Sequence, residues 1–336
     1  MMEIYALANG GSIIKKLKCL NIQWTRRYYS CGEYSIQIPL SEFQGGIYWI
    51  YSRGREELGL VQQMQYVETK AGNLVQISGY FYEFSLTNEI LYPRFYRSGK
   101  IGHIANEIVG SSNTENASKG IWTRTDVLGA EKSTTLYRIL QTQEFSYKYK
   151  FSQETFSTSF IVWQGKDRTH NQNINTYANF SENLKNIENI NYLQDNSNRK
   201  NYCIVAGGVG EETNIFEEVD QSNGDIKYKT YVDATEKIDV ETQTLAEYKE
   251  VLRQQGLEEL DKFRLIQTLT CDVVPANLKY MIDYDLGDKC DIVLDTLQIS
   301  FSARIIEIYE VFKNNTHKIQ LTFGERIPTI YTKARL

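Results

Sequence analysis

The chain has 336 residues, room for two or three domains that each bury a core, with 41% hydrophobic and 24% charged residues. Its formal net charge is −5 with acids and bases interspersed, so no block of like charge offers a grip on nucleic acid or a polybasic membrane patch. Tyrosine is abundant at 24 and proline scarce at 4, which suits half-buried strands and interfaces, where the ring packs and the hydroxyl stays wet. The cysteines at 19, 31, 203, 271 and 290 form no CxxC pair and read as reduced, buried thiols. Met1, Met2 and Glu3 precede no cationic and apolar leader, and no apolar run approaches the ~18 residues of a membrane span. The expectation is a protein made in a cytoplasm that does not leave by the ordinary export route.

Residues 1–95 read as all-β. A short strand over 3–7 meets a turn at Asn9, Gly10 and Gly11. Leu20, Ile22 and Trp24 alternate, as do Tyr34, Ile36 and Ile38 before Pro39. Residues 63–68 and 74–80 form a hairpin around the turn 70–73. Short strands at this spacing suggest a small barrel or sandwich. Over 96–190 the pattern becomes α+β. Ser98 is placed to cap a helix carrying Ile101, Ile104, Ala105, Ile108 and Val109, with Gly110 as its stop. Thr134 and Thr135 are placed to open a second helix, with strands over 145–151 and 158–163 behind it.

From about residue 191 the β pattern resumes. A strand over 202–206 runs into Gly207, Gly208, Val209 and Gly210, and Ser222, Asn223, Gly224 and Asp225 read as a hairpin turn. One long helix is expected over about 242–263, interrupted by Gly256 at a cost of about 1 kcal/mol against alanine. A meander then occupies 289–323. In its second run Ile299, Phe301, Ala303 and Ile305 share a face, and beyond Ile305 both faces turn apolar, the mark of a bulge or two-sided burial. The tail 326–336 has no periodicity.

Chemical motifs are few. His103, His170 and His317 lie in separate segments and match no metal spacing, so neither a metal nor a cofactor is expected. The glycine run at 207–210 lacks a GK[ST] ending and reads as a loop needing positive φ rather than a phosphate cradle. Asp283, Asp285, Asp288 and Asp291 supply the acids a glycosidase would need, but they flank a turn, where aspartate is favoured and stays hydrated. Trp24, Arg26 and Tyr28 would face one side of a strand and Thr25, Arg27 and Tyr29 the other. That split weakens a nucleic-acid reading and favours a protein contact, with Trp24, Arg26, Arg27 and Tyr28 as anchors.

Several stretches together resemble the tail-tip proteins of siphophages, a family typified by a Rhodococcus phage tail gene product. The run from Trp24 to Tyr28 followed by Cys31, Gly32 and Glu33 is similar to its opening. The run from Gly165 to Gln172 is similar to its Gly-x-Asp-Arg-Ser-x-x-Gln motif, with Thr169 in the serine position. Residues 201–210 and 231–234 resemble the stretches that come after that motif in the family. Tyr284 to Asp288, Ala303 to Ile305 and Leu321 to Glu325 resemble its ending. The resemblance adds Asp167 and Arg168 to the candidate interface residues and makes Leu286, Gly287 and Asp288 a structural turn.

The resemblance implies a baseplate-hub fold, as in T-even contractile tails and type VI secretion spikes. The expected architecture is β-rich α+β: an N-terminal β-barrel hub domain (1–95), an inserted α+β domain (96–190) and a C-terminal β-barrel hub domain (191–325) containing the long helix. Such hubs are homotrimers whose paired barrels offer six quasi-equivalent surfaces to a sixfold tail tube, above a spike or tail-fibre protein. The implied role is structural and non-enzymatic, at the virion tail tip. The tape-measure protein and DNA would pass through a mildly acidic channel. Related hubs continue into a cell-wall hydrolase or spike, whereas this chain stops at Leu336, so no lytic role is expected. The alternative is a tail-associated cell-wall hydrolase or glycan-binding tail protein.

Overall fold

A computed structural model describes residues 2–68, 72–209, 212–234, 244–263, 266–314 and 316–324. The N-terminal stretch is strands: β1 (Ile4–Leu7), β2 (Ile13–Leu17), β3 (Asn21–Arg27), β4 (Glu33–Pro39), β5 (Trp49–Ser52), β6 (Leu58–Leu60), β7 (Gln63–Val67) and β8 (Leu74–Tyr80). β4 shows why they form a sheet: Tyr34, Ile36 and Ile38 are buried while the residues between them stay half-exposed. Its inward face joins Trp24, Ile77 and Phe81 in one core, with the Trp24 ring 4.8 Å from Phe81 and 5.9 Å from Tyr34.

The insert follows as β9 (Phe95–Lys100), α1 (Ile101–Val109), α2 (Thr114–Ala117), β10 (Trp122–Val127), α3 (Lys132–Gln141), β11 (Ser146–Ser152) and β12 (Ser157–Trp163). It has a core of its own, in which Ile101, Ile104 and Ile108 of α1 meet Leu136 and Leu140 of α3 and Tyr147 and Phe160. Two expected caps are corrected. Ser98 lies inside β9 opposite Arg124. The first amides of α1 are met instead by the carbonyls of Ile121 and Lys119, each at 3.2 Å, so no side-chain cap is needed. α3 opens at Glu131 rather than at Thr134 or Thr135, and Thr134 donates to the Glu131 carboxylate at 2.9 Å. Gly110 ends α1 as expected, in the left-handed conformation at φ 76°.

The remaining elements are β13 (Asn179–Ser181), β14 (Ile187–Asp195), β15 (Tyr202–Val209), β16 (Glu212–Asp220), β17 (Lys229–Asp233), α4 (Leu245–Asp261), β18 (Ile266–Val273), β19 (Lys289–Leu294), β20 (Ile299–Lys313) and β21 (Thr316–Gly324). The expected meander is β19, β20 and β21. The register of β20 against β21 slips between Ile305 and Glu307, and Ile305 and Ile306 are both buried: the anticipated bulge and two-sided burial occur together. Beyond the slip β20 pairs with β3 on its other side. One sheet of order β14-β18-β21-β20-β3-β4-β8-β7 therefore joins the two ends of the chain. The fold is β-rich, and the strand orders among the described residues are open-ended rather than closed into barrels.

The described residues divide into two compact units, one of residues 2–191 with 269–324 and one within 192–268. The C-terminal strands β19 to β21 group with the N-terminal ones, because β3 is hydrogen-bonded to β20.

In the second unit β15 is central, antiparallel to β16 and parallel to β17, and α4 lays Tyr248, Leu252 and Leu260 against Cys203, Val205 and Val219. Three expectations change here. Gly207 and Gly208 belong to β15 and have no positive φ; a Cβ on Gly207 would stand 2.4 Å from the Tyr248 hydroxyl, so close packing explains that glycine. Gly210 lies outside the described residues. The turn at Asn223 and Gly224 has φ of 50° and 91°, yet it joins β16 to a strand on the far side of β15, so it is no hairpin. Gly256 lets α4 approach the sheet, since its Cβ would stand 2.6 Å from Val219.

Candidate functional site

Three of the stretches that carried the resemblance, those containing Tyr28, Gly165–Arg168 and Arg304–Ile305, meet within the first unit at the turn Asp285–Asp288. The Asp288 amide donates to the Asp285 carbonyl at 3.1 Å, and Gly287 sits at φ 81°, a conformation that favours glycine. The Gly287 amide donates to the Ile305 carbonyl and the Ile305 amide to the Asp288 carbonyl, both at 2.8 Å, which fixes the turn to β20. A Cβ on Gly287 would stand 2.5 Å from the Tyr28 ring and 3.0 Å from Trp163; one on Gly165 would stand 1.8 Å from the Gly287 carbonyl oxygen. Gly165 thus lets its segment meet the turn backbone to backbone, and Gly287 leaves room for the rings of Tyr28 and Trp163.

Buried charge holds this contact. Asp288 is 3% exposed. Its carboxylate accepts from the Lys166 amide at 2.7 Å, the Asp285 amide at 3.0 Å and Arg168 Nε at 2.5 Å. Arg168 donates its remaining groups to the carbonyls of Thr176 at 3.4 Å and Ile282 at 3.2 Å. Asp291 accepts from the His170 amide at 3.0 Å and from Ser302 at 2.6 Å, and lies 2.7 Å from His170 Nδ1. Burial would raise the Asp291 carboxyl, but Ser302 and His170 outweigh it and hold it below the usual range. Asp288 and Asp291 are therefore not the hydrated turn acids expected from sequence. Arg304 donates to the Gly287 carbonyl and pairs with Glu144 at 2.5 Å.

The candidate interface residues are mostly internal. Trp24 and Tyr28 have no exposed surface; the Tyr28 hydroxyl donates to the Glu144 carbonyl at 2.9 Å, and its ring meets Trp163 edge-on at 4.9 Å. Arg26 and Arg168 are buried. The Arg27 side chain, 15% exposed, spans Glu33 and Glu307 at 2.6 Å each. Asp167 is exposed. These side chains hold the chain together from within, except Asp167, which faces solvent.

A second cluster went unnoticed in the sequence. Arg26 reaches Asp285 at 2.6 Å, Glu57 at 2.6 Å and the Tyr280 hydroxyl at 3.0 Å. Tyr280 in turn receives Arg55 at 3.1 Å and donates to the fully buried Glu310 at 3.1 Å. Glu310 also pairs with Arg55 at 2.8 Å and lies 3.0 Å from His317 Nε2. Burial works against the Arg26 charge, but Tyr280, Glu57 and Asp285 more than compensate and raise its pKa further. The Glu310 carboxyl is likewise held low, His317 and Arg55 prevailing over burial. Nothing in sequence spacing pairs Arg55 with Glu310.

Among the described residues no group of three or more His, Cys, Asp or Glu could hold a metal ion. Chemically the arrangement fixes geometry: every carboxylate at its centre is committed to a cation or an amide.

The model of the Siphovirus ReqiPepy6 Gp37-like protein family matches residues 110–325. No curated protein matches the chain. Among solved structures, the tail protein from Neisseria meningitidis MC58 is similar at a TM-score of 0.65 and 12% identity, with 96% of each chain covered. The 43 kDa tail protein of prophage MuSo2 from Shewanella oneidensis gives 0.62 at 14% identity, over 96% of this chain and 98% of that one. Prophage tail protein gp18 from Listeria monocytogenes EGD-e gives 0.58 at 10% identity, over 99% and 97%. Matched by the family model over more than half its length, the chain belongs to the siphovirus ReqiPepy6 Gp37-like family, and its fold is that of these tail proteins.

Proposed function

We propose that this protein is the structural hub of a phage tail tip: a trimeric ring that joins a sixfold tail tube to a threefold spike or fibre and surrounds the channel. The observation that carries the reading is the end-to-end likeness to a tail protein, 96% of both chains at a TM-score of 0.65. A ring under load needs stiffness. The sheet that ties β3 to β20 and the buried ion pairs around Asp288 and Tyr280 supply it within each copy. Three copies, each presenting an N-terminal and a C-terminal sheet module, offer six related surfaces, and cyclic closure leaves no free end. The six interface residues singled out in sequence act mainly by shaping those modules. The role is non-enzymatic, with Asp288 and Asp291 engaged by Arg168 and His170. With a chain charge of −5, a mildly acidic channel lets DNA and the tape-measure protein pass.

The test is imaging of the intact particle with threefold averaging at its distal end, beside the mass of the purified protein in solution. Three copies around the axis meet the expectation. One copy, six copies, or placement away from the tip would overturn it.

A further inference from the structure

A strand at the end of a sheet presents unpaired amides and carbonyls, and folded proteins blunt such edges with charge or cover. This chain does so at most of its longer edges, while the uncharged edge strands β6 and β13 are three residues each and largely buried. β2 carries Lys15 and Lys16, paired with Glu42 and Glu3. The ribbon β9–β10 carries Arg97, Lys100 and Arg124, and β14, β16 and β17 each carry acids or lysines. The two-stranded sheet β11–β12 is capped by side chains: Glu83 accepts the Tyr149 amide at 2.9 Å, and Asn116 donates to the Phe160 carbonyl at 3.0 Å.

β7 differs. Its sequence, QMQYV, has no charge and no proline. It pairs with β8 on one side, and no described strand lies on the other. Gln63, Met64, Gln65 and Tyr66 are all exposed, so both faces of the strand are bare. Met64 and Tyr66, 43% and 54% exposed, stand opposite Ile77 and Val75 and continue the apolar face of the sheet beyond its core. Gln63 and Gln65 stand opposite Ser78 and Gln76. On that side runs a polar groove of about 360 Å³, lined by Gln23, Ser35, Gln62, Gln63, Gln76 and Ser78 among others.

We propose that β7 is a docking edge that takes an extended, uncharged strand from a different tail polypeptide. Apolar side chains of that strand lie beside Met64 and Tyr66, alternating with amide or hydroxyl side chains that reach the groove. Main-chain bonds supply the affinity of such an added strand, and alternate side chains its selectivity. The neutral edge and mainly amide-lined groove match a neutral partner; a charged strand would lose hydration there, and the groove's carboxylate, Glu33, is already paired with Arg27. A second copy does not fit. β7 on β7 is a two-fold contact foreign to a threefold ring, and head-to-tail pairing would need a second uncharged edge of similar length, whereas the other uncharged ones, β6 and β13, are three residues long and largely buried. The tail origin of the partner rests on the proposed hub role; the docking edge itself does not.

The probe is a labelled peptide of alternating valine and threonine with a lysine tail for solubility, titrated onto the full chain by fluorescence anisotropy. Saturable binding is expected, lost when alternate peptide amides are N-methylated. It should weaken by about tenfold or more in M64K/Q65K, whose circular dichroism and Tm stay as in the wild type. Hydrogen exchange at 63–67 slows when the peptide binds. Equal binding of the methylated peptide, indifference to M64K/Q65K, protection elsewhere, or no binding up to roughly millimolar peptide would each overturn the proposal. So would a wild-type dimer that M64K/Q65K dissolves, which would give the edge to a second copy. A chain that forms trimers yet ignores the peptide loses the docking edge and keeps the hub role; a monomer that binds it does the reverse.

Discussion

Replacing Asp288 by alanine removes one carboxylate and strands three groups. Arg168, with 6% of its side chain exposed, keeps only the carbonyls of Thr176 and Ile282, while the amides of Lys166 and Asp285 lose their acceptor. Breaking a buried pair from one side costs about 3–5 kcal/mol, and each orphaned buried donor about 1–3 kcal/mol. These costs overlap because one carboxylate serves all three, so the expected loss is about 4–6 kcal/mol. The four tryptophans, Trp24, Trp49, Trp122 and Trp163, all lie in the first unit, so a urea titration followed by tryptophan fluorescence reads this unit alone. The midpoint should fall at unchanged slope, the sign of lost stability rather than altered compactness. Adding R168M to D288A should recover about 1 kcal/mol or more, since no uncompensated cation then remains buried. A loss under about 1 kcal/mol, or a double variant that is merely additive, would refute the reasoning.

Other outcomes rest on the same contacts. G287A places a Cβ 2.5 Å from the Tyr28 ring at φ 81°, and the unit should lose about 2 kcal/mol or more in the same titration. G256A, which in an exposed helix would gain about 1 kcal/mol, should instead lower the Tm of the second unit, because the new methyl meets Val219 at 2.6 Å; a raised Tm would contradict the packing described. Burial lifts the Glu83 carboxyl to about 7 from an ordinary 4.5. The folded chain thus holds a proton that the unfolded chain has released, and this contribution, full below 4.5, disappears as pH rises through 7. E83Q should therefore be more stable than the wild type at pH 8, by up to about 3 kcal/mol, and no more stable at pH 4. Asp291 and Glu310 are held low in the fold, so their stabilisation is present above the ordinary carboxylate range and fades as pH falls through their folded values. The acid limb of a stability–pH profile should flatten in E310Q.

The meander, its bulge and the end of α1 were legible because each rests on local periodicity or one glycine, and no remote partner is needed to place them. The turn Leu286–Gly287–Asp288 was legible as a turn. Its burial was not, since hydration of an aspartate depends on whether a segment such as 165–168, over a hundred residues earlier, arrives to cover it. The same gap misread Trp24 and Tyr28: alternation assigns side chains to faces but does not say which face a later segment will cover. Gly207 reads as a loop from composition, while the constraint that selects it is the Tyr248 hydroxyl on another element. Ser98 looked like a cap because it precedes an apolar run, yet two carbonyls from the neighbouring loop already serve α1.

β3 is hydrogen-bonded to β20, with Arg27 opposite Glu307 and Asn21 opposite Lys313. During synthesis the amino-terminal strands leave the ribosome long before the segment that completes their sheet has been translated. Until then β3 offers a bare edge to the crowded cell, and the closing of so large a loop makes its acquisition of a partner slow. A nascent chain arrested before residue 299 should accordingly stay open to protease in its first hundred residues, and the sheet matures only once β20 has left the ribosome.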